Sequence, residues 1–521
     1  MSPTRAVLLA AGLLALTVGC RRGGPRPGTV PSPSQAPPPA APAPPPSREV
    51  VAEEGGGATF ALEDPWTGLS AARLTTGSDR ILHALVFRGL TRLGPGGRVE
   101  PELAEKWEKL REGTEWVFHL RPEMRFTNGR YVEARHVAAS WERLIADKES
   151  LHGWLLEPIR GYGELRAGEA GHASGIVLEG GLTLRLVLDR PVRDLPARLV
   201  HPALGISAFG ESQEGVGPFR IWGDPRPDRI ALRSNPEYFR GLPHLDEITF
   251  VRGEAARRSQ LDTGALDGAF LGPGEEPGSR DRLFVHSVPR TYVLGLNRGA
   301  VPFSRPEVAR ALVASLDRRA LVRSVAGDSG RLPRMLVPAL SSEGGDADIS
   351  AAPLVRIPGL GRLDLVYPEA DRPAALVVER IQAELVRAGG RVMRHPVRAP
   401  DLGGVLARRE YNLFILPYLP SSPDPLLDYE ELIQWNRSIP VSLVAQTRAQ
   451  DKAGNTGDLA AALVSLDRSL QAGGYLIPLF SLERRMAVAR AFCNLRADPV
   501  GSLDWAALWL SRARGGDCGE P

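Results

Sequence analysis

The sequence is poor in metal-binding and nucleophile patterns. Neither CxxC nor HExxH occurs, the nine histidines are scattered, and no metal or other cofactor is expected. Lysine is almost missing. Only Lys106, Lys109, Lys148 and Lys452 occur, so 60 of the 64 basic residues are arginine, a bias we read as one of coding and not as a device for phosphate. With a net charge of +3 and no basic block interleaved with aromatics, nucleic acid is excluded as a partner. Beyond the N-terminus no apolar run approaches the ~20 residues that a membrane-spanning helix needs. Gly205-Ile206-Ser207-Ala208-Phe209 lacks the second glycine of a nucleophile elbow, and Gly327-Asp328-Ser329-Gly330 has no suitable His–Asp setting. No enzyme is expected.

The N-terminus is informative. Arg5, the apolar run Ala6–Val18 and Gly19-Cys20 describe a secretory signal peptide over residues 1–19. A cysteine directly after Gly19 makes the segment look like a lipoprotein signal, with Cys20 as the lipidated first residue; ordinary cleavage beside an incidental cysteine is the alternative. Residues 20–57 are rich in Pro, Ala and Gly, too poor in apolar side chains to fold, and read as an extended tether. Two cysteines remain, Cys493 and Cys518. Export favours their pairing, the alternative being a buried Cys493 and a free Cys518.

From Ala58 onward, 43% hydrophobic and 24% charged residues describe a folded protein. A single hydrophobic core stops growing near ~250–300 residues, so at least two lobes are expected. Ala104–Trp141 reads as helix end, turn, strand, turn, helix. Trp116, Phe118 and Leu120 alternate as in a half-buried strand, Asn128-Gly129 makes a turn, and Val137, Ser140, Trp141 and Leu144 recur at helical spacing. Leu182, Leu184, Leu186 and Leu188 form a strand pattern. Ser304, ahead of Pro306 and Glu307, is placed to cap a helix. Leu363–Tyr367, Ala374–Ala388 and Val392–Val397 make a βαβ-like unit.

Several stretches resemble the family 5 solute-binding proteins of ABC importers, the oligopeptide- and dipeptide-binding receptors. They are the Trp116–Asn128 segment; Phe87, Gly89, Leu90, Pro101, Leu103, Ala104 and Trp107; Gly215-Val216-Gly217-Pro218-Phe219 followed by Asn235-Pro236-Glu237-Tyr238-Phe239; and Asn297 with Pro302-Phe303 and Asp317-Arg318. The resemblance implies an α/β, two-lobed periplasmic-binding-protein type II fold with an extra subdomain in the N-terminal lobe. Lobe I would comprise 58–285 and 475–514, with the subdomain at about 95–210, and lobe II 286–474. It also implies a monomeric, lipid-anchored receptor in the periplasm or at the cell surface. Such a receptor closes over a peptide or peptide-like solute and hands it to ABC permease subunits; a sensor or scaffold lipoprotein is the alternative.

By the same resemblance, Thr76, Gly77 and Ser78 face ligand from the first lobe, Ser78 being equally suited to capping the next helix. From the second lobe come Tyr418, at a position usually held by Trp, and Asp424 of Asp424-Pro425, with Trp435, Tyr292 and Asn297 as further candidates. Ser421 stands where peptide receptors of the family carry an aspartate for the peptide ammonium. It supplies no carboxylate, and a desolvated ammonium without one is costly.

Overall fold

A computed structural model of the chain describes residues 55–511 except 95, 209–212, 253–256, 287, 341–355 and 454–455. The expected signal peptide, Cys20, the Pro-rich tether and Cys518 lie outside the described residues.

Two sheets organise the protein. The first runs Asp281–Val285, Arg485–Ala489, Gly268–Leu271, Gly57–Leu62, Glu247–Arg252, Arg229–Ser234, Phe219–Arg226. Gly57–Leu62 lies at its centre, parallel to Glu247–Arg252 and to Gly268–Leu271. A central strand covered on both faces should be apolar nearly throughout, and Phe60, Ala61 and Leu62 are all buried. Phe60 meets Trp505 edge-on at 4.9 Å between ring centroids. Beside this sheet packs the helix Gly77–Val86, burying Leu82, Leu85 and Val86. Gly215 and Gly217 are required by its approach, because a Cβ at either would stand 1.9 Å from the Val86 carbonyl or 2.2 Å from that of Leu85.

The second sheet runs Gly330–Arg331, Leu476–Leu482, Arg290–Leu296, Leu413–Tyr418, Arg362–Pro368, Arg391–Val397. Helix Arg372–Arg387 connects its parallel pair Arg362–Pro368 and Arg391–Val397 as the βαβ reading expected, and Gly389 follows with φ +99°. The chain passes from the first sheet to the second between Val285 and Arg290 and returns between Leu482 and Arg485. The expected boundary at 475 therefore moves: Leu476–Leu482 pairs with Arg290–Leu296, and its backbone bonds belong to the second sheet.

A third unit, inserted between Gly57–Leu62 and Phe219–Arg226, has a four-stranded sheet of Ala104–Leu110, Glu115–Leu120, Thr183–Val187 and Ile176–Leu178. Trp116, Phe118 and Leu120 fill its core with Trp141 and Leu144 of helix Ala134–Ala146, and Gly129 takes φ +81° in the expected turn. Two local expectations fail here and in the second lobe. Ala104–Leu110 is a strand and not a helix end, because cross-strand pairing to Glu115–Leu120 overrides the helix preference of Ala, Glu, Lys and Leu. Ser304 does not cap helix Pro306–Ser315; Arg305 holds the cap position without a side-chain bond.

Candidate ligand-binding cleft

A cavity of about 500 Å³ opens between elements of the two sheets. From the first lobe, Asp64 to Thr67, Leu74 to Gly77, Arg80, Leu151, His152 and Arg252 line it. From the second come Arg290, Pro368 to Asp371, Arg398 to Pro400, Leu402, Leu406, Leu416, Leu419, Glu431 and Trp435. The location follows from topology. Gly57–Leu62 leads directly into Asp64, Arg290 begins the strand that enters the second sheet, and Arg362–Pro368 and Leu413–Tyr418 release their C-terminal loops at the same place.

Charge at the cavity is organised around two guanidinium groups. Arg290 donates through both terminal nitrogens to Asp64, at 2.8 and 2.6 Å. It also lies 3.1 Å from Glu63 and 3.6 Å from Asp371. Asp371 caps helix Arg372–Arg387 by accepting the Ala374 amide at 2.8 Å, and it accepts the Tyr292 hydroxyl at 3.1 Å. Burial pushes its carboxyl up to about 6, against the opposing pull of Arg290. Arg80, on helix Gly77–Val86, reaches across to the second lobe. It donates to Glu431 Oε1 at 2.8 Å and to the Leu419 carbonyl at 3.0 Å.

Helix Pro425–Trp435 and its cap residue Asp424 carry further contacts that bridge the cleft. Besides Glu431, Glu430 takes Arg198 of the inserted unit at 2.5 Å, and Asp424 takes Arg193 at 3.3 Å. Arg198 and Glu430 are 4% and 3% exposed, so neither charge has water to fall back on. Leu427 joins the inserted unit's own apolar cluster. The structure is thus a closed one.

The expected site residues separate into two groups. Thr76, Gly77 and Trp435 line the cavity. Ser78 does not, and it is not the helix cap. Thr76 is, accepting the Asp79 amide at 3.0 Å while Asp79 returns a bond to the Thr76 amide; Ser78 Oγ is buried and accepts the Asp64 amide at 3.1 Å. Tyr292 is wholly buried, stacked on Phe480 at 4.7 Å. Asn297 bonds the Arg409 and Tyr411 carbonyls. Tyr418 is buried against Trp435, its pKa held well above the usual value by burial and by the carboxyls of Asp428 and Glu431. Ser421 is buried at the cleft but turns its hydroxyl to Glu431, donating at 2.9 Å. Asp424 caps its helix through the Leu426 amide at 3.0 Å. Asp64, Arg80, Arg290, Asp371, His152 and Glu431 were missed; no local pattern marks them, since their meaning lies in partners distant along the chain.

His152, His201 and Glu431 each place one ligand atom within 4.8 Å of the others. The donor set does not suit a cation. His152 Nε2 faces the Leu74 carbonyl at 3.0 Å, which leaves only Nδ1 with a lone pair. His201 Nδ1 accepts the Ala203 amide at 3.1 Å, so its Nε2 holds the proton. Glu431 is already shared by Arg80 and Ser421. Burial lowers His152 to about 4 and His201 well below its usual value, and these are neutral packed imidazoles. Cys493 is buried and disulfide-bonded; Cys518, its expected partner, is outside the described residues.

Residues 98–354 match the family model of bacterial extracellular solute-binding proteins, family 5. Among curated relatives, the probable deoxycholate-binding periplasmic protein YgiS of Escherichia coli is 26% identical over 266 residues, 46% of this chain and 50% of that protein. The dipeptide-binding protein DppE of Bacillus subtilis is 23% identical over 260 residues, 46% of this chain and 48% of that one. The chain spans about half the length, or less, of the curated relatives it matches. Solved structures share the fold across nearly the whole described protein. The binding protein AgaA of A. tumefaciens, in complex with agropinic acid, has a TM-score of 0.72 at 20% identity, covering 86% of this chain and 98% of that one. The Escherichia coli murein tripeptide binding protein MppA has a TM-score of 0.76 at 15% identity, covering 88% and 99%.

Proposed function

Because the chain belongs to the family 5 extracellular solute-binding proteins, we propose that it is the extracytoplasmic substrate-binding component of an ABC importer. It closes its two lobes over a peptide or peptide-like solute and delivers that solute to the permease unchanged. The observation that carries this reading is the cavity of about 500 Å³ lined from both lobes and bridged by Arg80–Glu431 and Arg198–Glu430. A solute enclosed there stabilises the closed form by its differential affinity for it, which is the transferable part of the mechanism. The relatives' names, which include peptide-binding and periplasmic proteins, support the class and the compartment. Anchoring through a lipid on Cys20 completes the proposal.

Native mass spectrometry of the purified full chain tests it. A small solute that is retained, and that is released intact when the cleft is opened, is the expected result. Turnover of that solute, or a stoichiometric partner bound elsewhere with the cavity indifferent to substitution, would contradict it.

A further inference from the structure

The chemistry of the cavity wall narrows what it can hold. Four carboxyl groups line it: Asp64, Glu369, Asp371 and Glu431. The three deeper ones are committed within the protein. Asp64 takes both terminal nitrogens of Arg290. Asp371 takes the Tyr292 hydroxyl and the Ala374 amide. Glu431, its side chain 2% exposed, is closed from one side by Arg80 at 2.8 Å and from the other by Ser421 at 2.9 Å. Glu369 alone has no ion-pair partner among the described residues, and it is exposed at the rim. An ammonium group entering the depth of this cavity would lose its water and find each of the three deeper carboxyls already hydrogen-bonded within the protein, which leaves it poorly compensated.

Unsatisfied atoms point in the opposite direction. The Trp66 indole N–H and the Arg290 Nε–H are both buried donors without an acceptor among the described residues, and both residues line the cavity. Donors of this kind are matched by carbonyl or carboxylate oxygens. The rest of the wall is largely apolar, with Leu151, Leu402, Leu406, Leu416 and Trp435 among its members.

We propose that the cavity selects an apolar solute that presents acceptor oxygens and carries no free ammonium, Arg80 being the internal cation that closes Glu431 to the ligand. N-blocked peptides and compact apolar carboxylic acids share this chemistry. The inference rests on the solute-binding reading above and sharpens it.

Isothermal titration of the full chain at pH 7.5 tests it with three probes: trileucine, N-acetyl-trileucine and deoxycholate. The acetylated peptide should bind at least tenfold tighter than the free one, and comparison with deoxycholate separates a blocked peptide from an apolar acid as the preferred source. In Arg80→Leu the freed Glu431 carboxylate should improve trileucine binding relative to N-acetyl-trileucine at least tenfold, the ratio cancelling what the lost Arg80–Glu431 bridge costs in closure. Arg80→Leu combined with Glu431→Gln should remove that gain, and circular dichroism of both variants reports whether they remain folded. Should either misfold, the wild-type ratio of acetylated to free peptide still decides. Equal or tighter binding of the free amine by the wild-type protein would overturn this inference alone. Failure of all three probes would overturn this inference, whereas the solute-binding reading falls only if native mass spectrometry also finds no retained solute.

Discussion

Arg80 Nη2 lies 2.8 Å from Glu431 Oε1, and the two residues are 351 positions apart in the chain. One sits on a helix of the first lobe and the other on the helix Pro425–Trp435 of the second, so the pair exists only when the lobes are together. Opening separates Arg198 from Glu430 in the same movement. Charges matched across a cleft in this way bias the unliganded protein toward closure, because each partner is better satisfied there than facing a half-dry wall.

The first prediction follows from the second of these pairs. Glu430→Ala leaves Arg198 buried without its carboxylate, a loss of about 3–5 kcal/mol when the surroundings cannot relax. Here they can, by opening. The expected result is a larger radius of gyration in small-angle X-ray scattering with the melting transition lowered only modestly. An unchanged radius together with a collapse in stability would show that the pair belongs to the rigid fold and not to a movable interface.

A second prediction concerns acid stability. Asp371 has its folded-state pKa raised from 3.8 to about 6, chiefly by burial. A raised carboxyl binds its proton more tightly in the folded protein, so its favourable contribution is full below the unfolded pKa and is lost as the pH rises through about 6. Across that window the native state holds one more proton at this site than the unfolded chain, a slope of about −1.4 kcal/mol per pH unit. Asp371→Asn removes this component. Urea unfolding at several pH values between 4 and 6.5 should show the variant's stability falling less steeply than the wild type's.

Much of the fold was legible in the sequence where neighbours along the chain decide the structure. Trp116, Phe118 and Leu120 announced a strand by alternation, and Val137, Trp141 and Leu144 a helix face by spacing; both are buried as read. Where tertiary pairing decides, the sequence misled. Ala104–Leu110 has the composition of a helix and becomes a strand because Glu115–Leu120 lies beside it. The site was less legible still. Ser421 was visible as a residue unable to neutralise an ammonium, but nothing nearby announced that Arg80 would arrive from the other lobe to take Glu431. Tyr292 and Tyr418 were conspicuous aromatics that the packing absorbs, with neither side chain left exposed.

A third prediction tests the cap of the cavity-lining helix. Thr76 and Asp79 exchange bonds at the N-terminus of Gly77–Val86, and Asp79 further accepts the Thr67 amide at 2.7 Å, tying the loop Pro65–Thr67 to the helix start. Thr76→Ala should cost about 1 kcal/mol, read from the urea midpoint. Thr76→Ser should recover most of it. Equal losses in both variants would mean that the methyl group and not the oxygen matters.

The last prediction separates the stability of the inserted unit from closure of the cleft. Trp141 is 1% exposed at the centre of the unit's core, and its indole N–H donates to the Leu204 carbonyl at 3.2 Å. Trp141→Ala removes one of the three buried tryptophans of that cluster and strands a carbonyl, a loss of about 3–5 kcal/mol. Leu427 enters the same cluster from the opposite lobe, yet Leu426, Tyr429 and Leu432 of its own helix pack in one cluster with Phe414, Leu416 and Tyr418 of the second sheet. Leu427→Asp should therefore weaken closure while leaving the unit folded, since the cleft can open and hydrate the new carboxylate. Native-state hydrogen exchange discriminates the two. Amides of Glu115–Leu120 should lose protection in the Trp141 variant, whereas the Leu427 variant should lose it at Pro425–Trp435 alone. Parallel losses at both places in both variants would show the inserted unit and the second lobe to be one cooperative body, and the closure argument would then fail.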